Sequence, residues 1–162
     1  MNVADFLTDR QVDFRVLPHA NTYDAQRLAQ ELHVPGREVA KTVLLRANGG
    51  FRYFVAVLPA TKAIDFALAS ASLGGAQFQL ATELEMAAHC PDCELGVLPP
   101  FGSQYAMKTI VDLSLAEDEE IVFEFPGVFP RDACTRPEGP TVLEDPVAKG
   151  VYHMWVGGWR SC

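Results

Sequence analysis

The sequence predicts an α+β fold, and three observations carry that reading. Two β-rich runs, Val39-Ala-Lys-Thr-Val-Leu-Leu-Arg-Ala47 and Phe51-Arg-Tyr-Phe-Val-Ala-Val-Leu58, flank Asn48-Gly49-Gly50, whose residues tolerate positive φ. That is a hairpin signal, and it favours α+β over a parallel, doubly wound sheet. Helical patterns and further strands then alternate irregularly, with no internal repeat. A chain of 162 residues is most simply one domain, long enough to bury a real core.

The elements follow in order. Residues 3–10 suit a short helix and Asp13–Pro18 a short strand. Thr22 can cap a helix running to about His33, with Leu28, Ala29 and Leu32 on one face and Pro35-Gly36 to end it. After the hairpin, residues 64–73 read as a helix stopped by Gly74-Gly75, and Gln77–Leu80 as a short strand. Thr82-x-x-Glu85 is a capping box that opens another short helix. Met107–Leu113 and Glu119–Phe125 read as strands around an acidic turn. From Phe125 the texture turns rich in Pro and Gly without a period. The expected division is therefore a single domain over 1–124 and an irregular segment over 125–162. Both tryptophans lie in the last stretch, Val151–Cys162, whose aromatics suit docking on the body or pairing with another subunit.

Composition narrows the function. Apolar residues make up 49% and charged residues 21%, as in ordinary soluble domains. No apolar run approaches the ~18–20 residues of a membrane span, so no membrane partner is expected. The N-terminus carries acids where an export signal carries a basic region, which points to the cytoplasm. A net charge of −8 argues against strong nonspecific nucleic-acid binding. Its distribution is uneven, however. Residues 22–62 hold six Lys and Arg against three acids, whereas 83–124 hold ten acids against Lys108 alone. The basic segment could meet a phosphate backbone while the acidic one faces away.

Strand alternation singles out Lys41. It shares a face with Val39, Val43 and Leu45, where a buried ammonium is costly unless it lines a cavity or meets an anion. The alternative is a lysine near a strand end that reaches back to water. His19 could act as a base or bind phosphate, although a loop histidine is more often an ordinary surface residue. No nucleophile elbow or phosphate-binding loop occurs. Cys90-Pro-Asp-Cys93 lacks a second pair for zinc. As a redox pair it is disfavoured, because Asp92 and a helix C-terminus both oppose a thiolate. The two cysteines read as a surface feature, and no metal or cofactor is expected.

Set side by side, several stretches resemble a known family. They are His19-Ala-Asn-Thr22, Val39-Ala-Lys41-Thr-Val-Leu-Leu45, Val57-Leu-Pro-Ala60 with Ile64-Asp65, and Cys93-Glu-Leu-Gly96-Val-Leu-Pro99-Pro100-Phe101-Gly102. Their combination resembles the YbaK/prolyl-tRNA synthetase-associated domain, an aminoacyl-tRNA editing family, over about residues 10–124. The resemblance implies a curved, barrel-like mixed β-sheet with surrounding helices. It also implies hydrolysis of the ester on mischarged tRNA, typically alanine or cysteine on proline tRNA, with tRNA as partner and an aminoacyl-tRNA synthetase as a candidate second one.

In that resemblance Lys41 anchors the aminoacyl-adenosine end and Gly96 offers backbone groups to the ester. His19 and Thr22 lie at the rim, and Pro99, Pro100, Phe101 and Gly102 form a wall. The alternative is a noncatalytic tRNA- or nucleotide-binding, or synthetase-associated, module of the same fold. Oligomeric state has no signature here. Phe125-Pro-Gly-Val-Phe-Pro130 departs from the family pattern, and nothing after it resembles the family's closing segment.

Overall fold

Asn48, Gly49 and Gly50 all take positive φ, at 52°, 74° and 101°. Strand β1 (Val39–Ala47) turns there into strand β2 (Arg52–Pro59). The two pair antiparallel from Ala40 opposite Pro59 to Ala47 opposite Arg52. This computed structural model describes residues 3–10, 14, 24–50, 52–93, 97–118, 121–124, 154–155 and 160–161. The strand expected over 13–18 lies outside these residues, apart from Phe14, which packs against the core.

The hairpin is extended on both sides. Strand β3 (Phe78–Leu80) pairs antiparallel with the end of β1, Leu45 opposite Leu80. Strand β4 (Lys108–Val111) pairs parallel with β2, Val57 opposite Val111. Strand β5 (Val122–Phe123) pairs parallel with the start of β1, Val39 opposite Val122. The order is β3–β1–β2–β4, with β5 end to end with β3 along the same edge of β1. The fold is thus α+β with a mixed sheet, and the sheet stays open rather than closing into a barrel. The strands around the acidic turn are shorter than expected and pair with the hairpin, not with each other. Asp112 caps a 3₁₀ turn over Leu113–Ala116 between them. Two two-residue strands, β6 (Met154–Trp155) and β7 (Arg160–Ser161), pair with each other and lie near β4.

Four short helices complete the described chain: α1 (Val3–Asp9), α2 (Ala25–Leu32), α3 (Phe66–Ser72) and α4 (Glu83–His89). The cap of α2 is Asp24, whose carboxylate accepts from Arg27 N at 2.8 Å. Thr22, the expected cap, lies outside the described residues. The helix ends at His33 in the left-handed region, before Pro35. Asp65 caps α3 by accepting from Ala67 N and Leu68 N, both at 2.9 Å. The Thr82–Glu85 capping box of α4 forms as its sequence predicts.

The sheet is covered on both faces, which explains why β2 reads as a continuous apolar run. On one face Ala40, Leu44, Val55, Val57 and Val111 pack with Phe6 and Leu7 of α1 and with Leu98, Phe101 and Phe123. On the other, Leu45, Phe54, Ala56, Leu58 and Ile110 pack beneath Ala69 of α3. Val39 and Val122 continue that second face under Leu28 and Ala29 of α2.

Glu85 ties α4 to the hairpin. Its carboxylate accepts from Thr82 N at 2.7 Å, Tyr53 Oη at 2.9 Å and Arg46 Nη1 at 3.3 Å. The Thr82 N–H, the Tyr53 hydroxyl and the Thr82 hydroxyl hold its pKa down at about 2, against an ordinary 4.5. A depressed carboxylate adds stability above its unfolded value, and that stability goes as pH falls through the folded value. Melting temperature should therefore fall between about pH 4.5 and 2 with a component from Glu85. In Glu85→Gln that component should be missing from the melting curves, and the two proteins should converge toward the acid end.

Candidate functional site

Lys41 is the third residue of β1, paired with Leu58 across the hairpin. Its side chain leaves the sheet on the face of Val39, Val43 and Leu45, as alternation predicts. Val39 is covered by Leu28 and Ala29 of α2. Val43 lies against the cluster beneath α3. Lys41 thus emerges between the two helices, half-buried. Its Nζ lies 3.3 Å from the Ala60 carbonyl, which also accepts from Gln26 Nε2 of α2 at 3.3 Å. Burial lowers its pKa below the usual 10.5.

Among the described residues Lys41 has no carboxylate partner, unlike several nearby cations. Arg46 pairs with Glu85 at 3.3 Å, Lys62 with Asp112 at 3.0 Å and Arg37 with Glu38 at 3.1 Å. A desolvated cation without a counter-charge is a group disposed to meet an anion or a polarised oxygen.

The next residue, Thr42, faces the opposite side of the sheet, and its hydroxyl donates to the Leu98 carbonyl. Its backbone has a distinct position too. Along the outer edge of β1, Glu38 O accepts from Val122 N at 2.8 Å and Leu44 O accepts from Ala81 N at 2.9 Å. Peptide groups alternate from one edge of a strand to the other. Among the described residues, the N–H and C=O of Thr42 therefore point into a gap between β5 and β3. Sequence reasoning passed over Thr42, because this gap exists only once two separate strands have paired with one edge.

Leu98 brings the Val97–Gly102 segment to that gap. Leu98, Pro99, Pro100, Phe101 and Gly102 are all buried. The Phe101 ring lies 4.9 Å from Phe6 and 5.5 Å from Phe123, on the face of Ala40 and Leu44. Gly102 N donates to the buried Thr109 Oγ1 at 2.9 Å. Lys41 and Phe101 consequently occupy opposite faces of the sheet, joined through Thr42 and Leu98. Of the remaining expected site residues, His19, Thr22 and Gly96 lie outside the described residues.

A profile of the aminoacyl-tRNA editing domain matches residues 19–125, which takes in the sheet and all of these segments. The chain belongs to the aminoacyl-tRNA editing domain family. Comparison with curated proteins returned no match. Solved structures share the fold. A hypothetical protein, APE2540, superposes with a TM-score of 0.69 at 21% identity, covering 77% of this chain and 82% of that one. A protein proposed to be a trans-editing enzyme for prolyl-tRNA synthetase gives 0.60 at 21% identity, covering 74% of each chain. A scaffold from computational epitope grafting gives 0.62 at 17% identity, covering 76% and 77%.

Two other polar clusters of this editing domain are held in structural roles or lie apart. Ser114 Oγ stands 2.9 Å from Lys62 Nζ, a spacing that could suggest an activated serine. Lys62 is bound to both oxygens of Asp112, at 3.0 and 3.2 Å, so its ammonium is a charge partner and not a base. Asp112 also accepts from Ser114 N and Oγ, completing the cap of the 3₁₀ turn. The cysteines correct the sequence reading. Cys90 is fully buried in the core and not a surface residue. His89, its neighbour, packs against Tyr53 with ring centroids 4.1 Å apart and planes tilted by 41°.

The Gly102 anchor can be tested by stability. A Cβ there would lie 2.8 Å from both Met107 O and Thr109 Oγ1. Gly102→Ala should lose about 1–3 kcal/mol in urea unfolding, as overpacked sites do. Thr109→Val leaves the Gly102 N–H without its acceptor and should cost a similar ~1–3 kcal/mol. Because the two side chains would be in direct contact, the losses of the double variant should not simply add.

Proposed function

We propose that the chain is a trans-acting aminoacyl-tRNA deacylase, hydrolysing the ester between a misplaced amino acid and the terminal adenosine of tRNA. The substrates proposed are alanyl- or cysteinyl-tRNA of the proline type. One observation carries this reading beyond family membership. Lys41 is half-buried without a carboxylate partner among the described residues, one residue from the sheet-edge gap at Thr42.

An aminoacyl ester is already activated, so hydrolysis needs positioned water and stabilisation of the oxyanion rather than a protein nucleophile. In this reading the Lys41 ammonium steadies a phosphate or carbonyl oxygen of the aminoacyl-adenosine end. Gly96 offers backbone groups to the ester or ribose, with His19 and Thr22 at the rim. The burial of Pro99, Pro100, Phe101 and Gly102 favours a supporting role, in which they stiffen the segment that follows Gly96 in the chain. Two prolines suit that task, since each fixes φ and removes an N–H. A small rigid site also fits a second sieve, which admits amino acids too small for a synthetase to reject. Exposed Arg27, in the first turn of α2, and Arg37, just before β1, can meet the tRNA backbone.

The decisive assay incubates the chain with alanyl-, cysteinyl- and seryl-tRNA of the proline type and follows release of the amino acid. Hydrolysis of at least one is expected. Binding without hydrolysis would instead establish a noncatalytic module, and neither binding nor hydrolysis by folded protein would overturn the reading. Lys41→Met should reduce deacylation on the order of 10²-fold or more, the scale of losing one oxyanion-stabilising group. It should leave the melting temperature unchanged or raised, because it removes a desolvated charge. Wild-type activity, corrected for spontaneous ester hydrolysis, should decline as pH rises through a value below 10.5, where Lys41 loses its proton.

A further inference from the structure

The C-terminus of α4 carries a thiol pair whose geometry the editing reaction does not use. Cys90 caps the helix, donating its N–H to Met86 O at 2.8 Å, and its side chain is 0% exposed. The chain then folds back, with Cys93 N donating to Cys90 O at 3.0 Å. That turn brings the backbones of Cys90 and Cys93 together, the close approach that a disulfide between them needs. Cys93 is only half-buried, so a small solute can reach it. On its other side Tyr105 Oη lies 3.0 Å from Cys93 Sγ.

The two thiols are differentiated by these surroundings. Hydrogen bonding from Cys90, and next from Tyr105, lowers the Cys93 pKa, against opposing effects of burial and Asp92. Cys90, donor to that sulfur and desolvated, is raised. Asp92 also engages the Tyr105 hydroxyl, so the phenol has two neighbours competing for its proton. A sequence-only argument assigns both cysteines the same unfavourable environment, whereas the fold separates them.

We propose that Cys90 and Cys93 form a reversible disulfide site driven by hydroperoxides, with Cys93 reacting first and Cys90 resolving. In the first step the Cys93 thiolate attacks one peroxide oxygen. An S–O bond forms, the O–O bond breaks, and the departing alkoxide or hydroxide takes up a proton. In the second step the Cys90 sulfur attacks the Cys93 sulfenic acid. The S–S bond forms, the S–O bond breaks, and hydroxide leaves with the Cys90 proton as water. Overall two thiols give up two electrons and two protons, and the peroxide becomes an alcohol or water plus a second water. A dithiol reductant reverses the product by thiol–disulfide exchange.

The experiment uses the full chain with Cys134→Ser and Cys162→Ser as background, beside the unmodified chain, both fully reduced and treated with hydrogen peroxide. Peptide mapping should show a Cys90–Cys93 link that dithiothreitol removes. In Cys90→Ala, with folding checked by circular dichroism, dimedone should trap a sulfenic acid on Cys93. Tyr105→Phe should slow Cys93 oxidation roughly three- to tenfold, the effect of removing one donor from a thiolate, and should move the pH–rate inflection upward. A first adduct on Cys90 would overturn the assignment. So would a link from Cys93 to Cys134 or Cys162 in the unmodified chain. Oxidation of Cys93 no faster than free cysteine, with an unchanged pH profile in Tyr105→Phe, would sink the proposal altogether.

Discussion

A sheet covered on both faces leaves little room for a charge, and the structure around β1 is organised by having one there. Lys41 sits within the strand that carries β2, β3 and β5, so it cannot be moved aside without unpairing the sheet. The solution is local. Two helices cover the face on either side of it, Val39 under α2 and Val43 beside the α3 cluster, and the ammonium issues between them toward the Ala60 carbonyl. A carbonyl satisfies a donor but does not neutralise a cation. Among the described residues no carboxylate answers that charge, and this is the property on which the proposed function draws.

Much of this was legible from local chemistry. Alternation along β1 puts Lys41 with Val39 and Val43, and the structure keeps it there. The Asn-Gly-Gly turn and the Thr82–Glu85 box act through residues a few positions apart, so sequence alone specifies them. The cap of α2 was misassigned because Thr22 and Asp24 are both good caps two residues apart, and only the start of the ladder distinguishes them.

What escaped depends on distant parts of the chain. Nothing near Lys108–Val111 or Val122–Phe123 announces a parallel partner, yet these strands complete the sheet. The interest of Thr42 arises from a gap between β5 and β3, whose lengths and positions are set by pairing. Burial of Cys90 likewise follows from where α4 docks, through Glu85, Tyr53 and Arg46. The resemblance gave Phe101 a place in a pocket wall. Its neighbours Phe6 and Phe123 come from opposite ends of the described domain, and they make it a core residue.

The placement of Lys41 and Thr42 as consecutive residues has a consequence for how this domain can vary. Side chains in a strand alternate with a period of two, so a one-residue slip inverts every face. Inserting a single residue between the hairpin turn and Lys41 would carry the lysine into the Phe101 core and leave another side chain in the passage between α2 and α3. Length changes at the exposed Asn48–Gly49 tip carry no such penalty, provided that the ladder from Ala40 to Ala47 keeps its register. The domain can therefore drift freely in composition over much of its surface, while the spacing of one eight-residue ladder must be counted out residue by residue.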